Sequence, residues 1–148
     1  MKLSKIYSKI YTIITQKPCI SVLKKNGLRV GKNLNVQNGS IIDISHCWLV
    51  SIGDNVTLAP NAHILAHDAS TQKFIKYTKI GKVEIGNNVF IGAGSVVLPN
   101  VKIGDNVIIG ANSVVSKDIE NNVVVAGNPA RVINTLDNYL KKYKNVPE

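Results

Sequence analysis

The chain has 148 residues, 45% of them hydrophobic, and a formal net charge of +9. That length and apolar share suit one small domain, while the two cysteines, Cys19 and Cys47, argue against a disulfide framework and lack the paired spacing of a zinc or redox motif. No run has the quality of a signal peptide or a membrane span, so the expectation is a cytoplasmic protein.

The charge is unevenly placed. Residues 1–42 carry eight basic residues and no acid, whereas residues 43–148 carry ten basic and nine acidic ones. Within the basic part, Leu3, Ile6, Ile10, Ile13 and Ile14 recur at helical spacing beside Lys2, Lys5, Lys9 and Lys17, and Pro18 stops the pattern. Residues 1–27 therefore read as a basic amphipathic helix. It either caps the open end of the structure that follows or lies on a membrane surface, at the inner face. Nucleic acid is not expected as a partner, because Tyr7 and Tyr11 interleave the lysines without a recognised module around them.

From Val30 the chain takes up a six-residue period. Val30, Val36, Ile52, Leu58 and Ile64 are aliphatic anchors, with Asn33, Gly39, Asn55 and Asn61 three places further on. Two breaks interrupt the frame. One covers residues 42–51, IDISHCWLVS. The other follows Ile64, after which Ile85 resumes the period. An excursion that a periodic scaffold tolerates is usually a functional loop, so residues 65–84 are the first place to look for a site. His67 opens that loop, in the place that neighbouring repeats give to Asn, Gly or Asp.

Residues 85–120 then run as six uninterrupted hexapeptides, IGNNVF, IGAGSV, VLPNVK, IGDNVI, IGANSV and VSKDIE. The fifth places hold small or branched residues (Val89, Ser95, Val101, Val107, Ser113, Ile119). The fourth hold Asn88, Gly94, Asn100, Asn106, Asn112 and Asp118, residue types that enter left-handed backbone conformations at least cost. Three units make one triangular coil, which predicts an all-β parallel β-helix over residues 28–127. Residues 128–148 close it and add a short helix, with the lysines of TLDNYLKKYKNVPE suited to the helix C-terminus.

The run NVFIGAGSVVLPNVKIGDNVIIGANSVVSKDIENNVVVAGNPARVI, with TLAPNAHILAHDAS upstream, resembles the left-handed β-helix acyltransferases, in particular the sugar O-acetyltransferase branch that includes maltose and galactoside acetyltransferases. The likeness covers about residues 28–133, and AGNPARVI is its most specific part. It implies left-handed coils, an exception to the usual right-handed crossover. It also implies transfer of an acetyl group from acetyl-CoA to a sugar hydroxyl, in surface polysaccharide biosynthesis, by a homotrimer with sites between subunits and without a metal. The acceptor would be a small or lipid-linked sugar, with amino sugars and antibiotics as the alternative.

Acetyl transfer to a hydroxyl needs a base, and imidazole, with an ordinary pKa near ~6.5, suits that task near neutrality. The resemblance gives the catalytic role to His67, pantetheine contacts to Ala93 and Ala111, and contacts with the nucleotide end of CoA to Ser116, Lys117 and Arg131. Asp43 and Trp48 are candidates for the acceptor side, and Asp68 for ordering the loop or touching the acceptor. The chain departs from the family at Phe90, where a tryptophan is frequent. Two further readings stay open: a zinc carbonic anhydrase of the same coil, using His46, His63 and His67, and a scaffold without activity. Serine acetyltransferase is disfavoured by the short stretch before Val30.

Overall fold

The computed structural model describes residues 6, 10, 11, 13–15 and 17–144. Three parallel sheets form the faces of a triangular prism. The first face stacks Arg29–Val30, Val50–Ile52, Val83–Ile85 and Val101–Ile103; the second Asn35–Val36, Thr57–Leu58, Val89–Ile91, Val107–Ile109 and Val123–Ala126; the third Ile41–Ile42, His63–Ile64, Val96–Val97 and Val114–Val115. Each anchor sits over its equivalent one coil away, as Ile42 over Ile64 and Ile64 over Val97. The prism interior is thus a set of aliphatic ladders with essentially no exposed surface: Ile42, Ile64, Val97 and Val115 on one face, Leu58, Ile91 and Ile109 on another. This burial is the main source of stability in such a coil.

The corners are built as their residue types predict. Asn33, Asn55, Asn61, Asn88, Asn100, Asn106 and Asn112 all have φ between +54° and +64°, and Gly39 and Gly94 are also left-handed. Between the first and second faces the corner amides form a ladder, Asn33 Nδ2 donating to Asn55 Oδ1 at 2.9 Å, Asn55 to Asn88 at 3.0 Å, Asn88 to Asn106 at 3.0 Å, and Asn106 to Asn122 at 2.9 Å. Beside it the glycines stack almost in contact. A Cβ on Gly86 would lie 2.8 Å from the carbonyl carbon and oxygen of Gly104.

Two sequence expectations fail at corners. Asp118 is not left-handed; Asn122 takes that role, with φ +60°. The final coil is shortened, so that Ile119 bridges to Ile103 as an anchor rather than filling a fifth place, and the ladder spacing drops from 18 to 16 residues. His67 is not left-handed either. Its backbone leaves the coil in an extended strand, His67–Asp68, which pairs antiparallel with Lys79–Ile80. The excursion is therefore a hairpin whose tip carries a 3-10 turn, Ala69–Thr71, and a short helix, Gln72–Ile75.

At the start of the coil, the helix Ile20–Lys25 closes the prism by burying Leu23, followed by Leu28. Of the amphipathic segment expected upstream, residues 6, 10, 11 and 13–15 are helical, and residues 1–5, 7–9, 12 and 16 lie outside the described set. Ile6, Ile10, Ile13 and Ile14 are 50–75% exposed, so these side chains do not plug the open end. At the other end, Arg131–Thr135 folds back antiparallel on Val123–Ala126 and leads into the helix Leu136–Lys141, whose first turn is capped by the Thr135 hydroxyl.

The close corner packing predicts that Gly86→Ala destabilises by about 1–3 kcal/mol, since the new methyl meets both the Gly104 backbone and the Asp105 carboxylate that accepts from the Asn87 amide. Asn88→Gly keeps the left-handed corner and loses the amide ladder, and should cost about 1 kcal/mol. Urea unfolding of the two variants checks the order; a Gly86→Ala variant as stable as wild type would contradict the packing account.

Candidate active site

The two breaks in the repeat leave the prism from the same corner, between the third and first faces. In the first coil the chain turns after Ile42 through a 3-10 segment, Cys47–Leu49; one coil later it turns after Ile64 into the hairpin that opens with His67. Because Ile42 pairs with Ile64, Asp43 is carried next to Ala66 and His67.

Asp43 is 3% exposed. Its Oδ2 lies 2.5 Å from Nδ1 of His67 and accepts from the Ala66 amide at 2.9 Å, while Oδ1 accepts from the amides of Ser45 and His46, each at 3.0 Å. Burial pushes its pKa up, but the hydrogen bonds from His67 and from the Ala66 and His46 amides outweigh burial and hold it below the usual carboxylate value. An ionised carboxylate against Nδ1 keeps the proton of neutral His67 on that nitrogen and leaves Nε2 with its lone pair. The His67 side chain is 36% exposed, so this basic nitrogen belongs to a group that a solute can reach. A fixed tautomer on a partly open imidazole is the arrangement that general base catalysis requires.

Asp43, a candidate for the acceptor side, sits in the turn after Ile42 with its carboxylate facing inward. Both oxygens of the carboxylate are engaged inside the protein, which leaves none for an acceptor. Its pairing with His67 escapes a sequence reading because the residues lie 24 apart, across a coil that the first break lengthens from 18 residues to 22. Trp48 does stand nearby and is 49% exposed, its ring 5.1 Å from that of His46, which is in turn 4.9 Å from that of His67. Asp68 faces the other way: the Lys79 ammonium at 2.6 Å, then the Ser70 amide and hydroxyl, hold its carboxyl well below the usual range. It orders the hairpin.

The remaining candidates divide between two corners. Ala93 and Ala111 stack on the corner between the second and third faces, where the Asn112 amide donates to Ala93 O at 2.8 Å. Ser116 lies at the His67 corner and lines a cleft of about 360 Å³ with Asp68, Lys79, Ile80, Leu98, Pro99 and Asn100. Lys117 and Arg131 are exposed, Arg131 donating from Nη1 to its neighbour Ala130 O at 2.9 Å. Within one chain, among the described residues, the three histidines of the carbonic anhydrase reading do not come together. His63 lies on the third face opposite Ile41 and Val96, apart from the Asp43, His46 and His67 cluster.

Comparison with known proteins agrees with this geometry. Residues 82–117 match the family described as bacterial transferase hexapeptide (six repeats). The chain is 39% identical over 127 residues to Protein CapG of Staphylococcus aureus, covering 81% of this chain and 73% of that one. Among solved structures it resembles a maltose O-acetyltransferase from Clostridium difficile 630 (40% identity, TM-score 0.66, 74% of this chain and 59% of that one) and a galactoside acetyltransferase in complex with coenzyme A (34% identity, TM-score 0.66, 82% and 71%). This chain belongs to the hexapeptide-repeat acetyltransferases, and its prism is their left-handed parallel β-helix.

Asp43→Asn should lower kcat by about 10²- to 10⁴-fold, because the amide no longer favours the Nδ1–H tautomer, and nitrogen NMR of the His67 ring should report the change. A depressed carboxylate contributes stability above its unfolded value, about 3.9, and loses it as pH falls through the native value. The stability gap between wild type and Asp43→Asn should therefore narrow below about pH 4. A gap independent of pH would remove the ionic role.

Proposed function

We propose that the protein transfers the acetyl group of acetyl-CoA to a sugar hydroxyl, with His67 as general base. The observation that carries this reading is the partly open imidazole locked by a buried carboxylate, on the scaffold of an acetyltransferase family. His67 removes the hydroxyl proton as the acceptor oxygen adds to the acetyl carbonyl, then returns that proton to the departing thiolate. Asp43 stabilises the imidazolium between the two steps. Ala93 and Ala111 leave space for the pantetheine arm; Ser116, Lys117 and Arg131 meet the nucleotide end. The exposed face of Trp48 suits the C–H surface of a pyranose. The maltose and galactoside acetyltransferases among the similar structures favour a sugar as the acceptor, and in this reading the acetylated sugar is destined for a surface polysaccharide.

The same reading makes the enzyme a cytoplasmic homotrimer with shared sites. His67 and the Ala93–Ala111 pair stand at opposite edges of the third face of one prism, so a neighbour presenting its own small-residue corner to His67 would complete the site. The hairpin tip supports this. Phe74 is 84% exposed, Tyr77 74% and Ile75 59%, an apolar projection that a monomer would leave in water. Exposed Ile6, Ile10, Ile13 and Ile14 within a basic segment also favour contact with the inner membrane face, where a lipid-linked acceptor would lie.

Release of free CoA in the presence of free, amino, nucleotide-linked and lipid-linked sugars tests the activity. The wild type should turn over at least one class, and His67→Ala should do so about 10²- to 10⁴-fold more slowly with little change in KM for acetyl-CoA. Near-normal turnover by that variant would refute the role of His67.

Shared sites predict complementation. His67→Ala and Arg131→Glu chains, each inactive alone, should regain part of the activity after unfolding and joint reassembly. Full activity at monomer mass by light scattering would exclude the arrangement.

A further inference from the structure

His46 has a feature that the acetyl-transfer mechanism does not use. Its backbone amide is held by Asp43 Oδ1, which seats the ring against His67, and its Nδ1 is buried without a hydrogen-bond partner among the described residues. That nitrogen lies 3.9 Å from Asp43 Oδ1, too far for a hydrogen bond. Burial of an unpaired ring nitrogen is costly unless something reaches it.

One ligand atom from each of Asp43, His46 and His67 falls within 4.8 Å of the others. Two imidazoles and a carboxylate form a donor set that zinc-class ions select over magnesium or calcium. Zinc–nitrogen distances of about 2.0–2.1 Å imply ligand separations near ~3.3 Å in a tetrahedral site, so to hold an ion the Asp43–His67 pair, now at 2.5 Å, must part and His46, 3.9 Å from Asp43, must draw in. The His67 side chain, 36% exposed at the root of a hairpin, is the least enclosed member, and an ion must compete with the hydrogen bond that ties it to Asp43. A site that forms only by breaking the Asp43–His67 hydrogen bond of a working base describes a reversible inhibitory ion rather than a resident one.

The geometry points to an inhibitory binding site for Zn²⁺ formed by Asp43, His46 and His67, in which the ion shuts off the base by reversing its tautomer. The ion takes the lone pair of Nδ1 on both rings and an oxygen of Asp43. The proton that His67 carried on Nδ1 passes through solvent to Nε2, so the ring stays neutral and no net proton is released. With Nε2 protonated, His67 has no lone pair for the acceptor hydroxyl, and the carboxylate that set the tautomer is occupied by the metal. Water or buffer completes the coordination, since no fourth side chain joins the cluster among the described residues. Cys47 is next in sequence to His46, yet its thiol turns inward toward the carbonyls of Leu23 and Asn26 and does not compete.

Binding is tested on the intact protein by calorimetric titration with Zn²⁺ and by visible absorbance on titration with Co²⁺, whose tetrahedral complexes absorb strongly. The expected result is one ion per chain with tetrahedral Co²⁺ bands, displaced by Zn²⁺ and unaffected by Mg²⁺. His46→Asn and His46→Gln, each shown to be folded by its melting curve, should bind Zn²⁺ at least about tenfold more weakly, the loss that even an outer-shell change can cause. Cys19→Ser should bind as wild type does. Acetyl transfer, followed by acetylated product, should be inhibited by Zn²⁺, restored by EDTA, and inhibited correspondingly less in the His46 variants relative to each variant's own uninhibited rate. This inhibition arm rests on the proposed acetyl transfer, whereas the binding arm does not. Absence of stoichiometric binding, unchanged affinity in both His46 variants, or loss of binding in Cys19→Ser would each overturn the assignment.

Discussion

The register between successive coils is the constraint on which everything else in this protein depends. A parallel β-helix buries an anchor only if the anchor one turn later lies over it, and a slip of a single residue would turn every aliphatic side chain toward water. The chain secures the register twice. Inside, Ile42, Ile64, Val97 and Val115 stack without exposed surface. Outside, the ladder from Asn33 to Asn122 ties each corner to the next through side-chain amides while the backbone of each asparagine takes the left-handed turn. The two devices are coupled, because the same residue that makes the turn also reports its height to its neighbour.

Such a lattice can be interrupted without being lost, provided that register is recovered on the far side. Both insertions leave from one corner, and the strands beyond them return to pair in frame, Val50–Ile52 with Val83–Ile85. The inserted residues are free of the repeat's demands and can carry chemistry. Since the register is fixed, insertions in adjacent coils emerge side by side, which brings Asp43 and His67 together although each belongs to a different break. The rigid prism holds the base, and the hairpin, tied by the Asp68–Lys79 ion pair and by the Thr71 hydroxyl on Tyr77 O, shapes the opening above it.

The electrostatics follow from the same geometry. Asp43 survives as a carboxylate at 3% exposure because the turn after Ile42 and the strand leading to His67 point three backbone amides and one imidazole at it. Among the described residues, His46 alone keeps a buried side-chain nitrogen without a partner. In a cluster otherwise fully paired, that nitrogen is where an outside ligand would find a partner.

Much of this was legible in the residues alone. The six-residue period determined the triangular coil, because an aliphatic residue at every sixth place is buried when three short strands complete each turn. The residue types at the fourth places determined most of the left-handed corners, and the loss of period after Ile64 marked the loop with His67 at its start. Tertiary structure decided the rest. That Asp118 yields its corner to Asn122 depends on where the shortened last coil regains its neighbour. That Leu23, rather than the isoleucines upstream, closes the first coil depends on which helix reaches the open end. The pairing of Asp43 with His67 is a contact between coils, and its span includes an insertion of arbitrary length; local spacing encodes the repeat, but only the stacked backbone determines which departures from the repeat come to lie against one another.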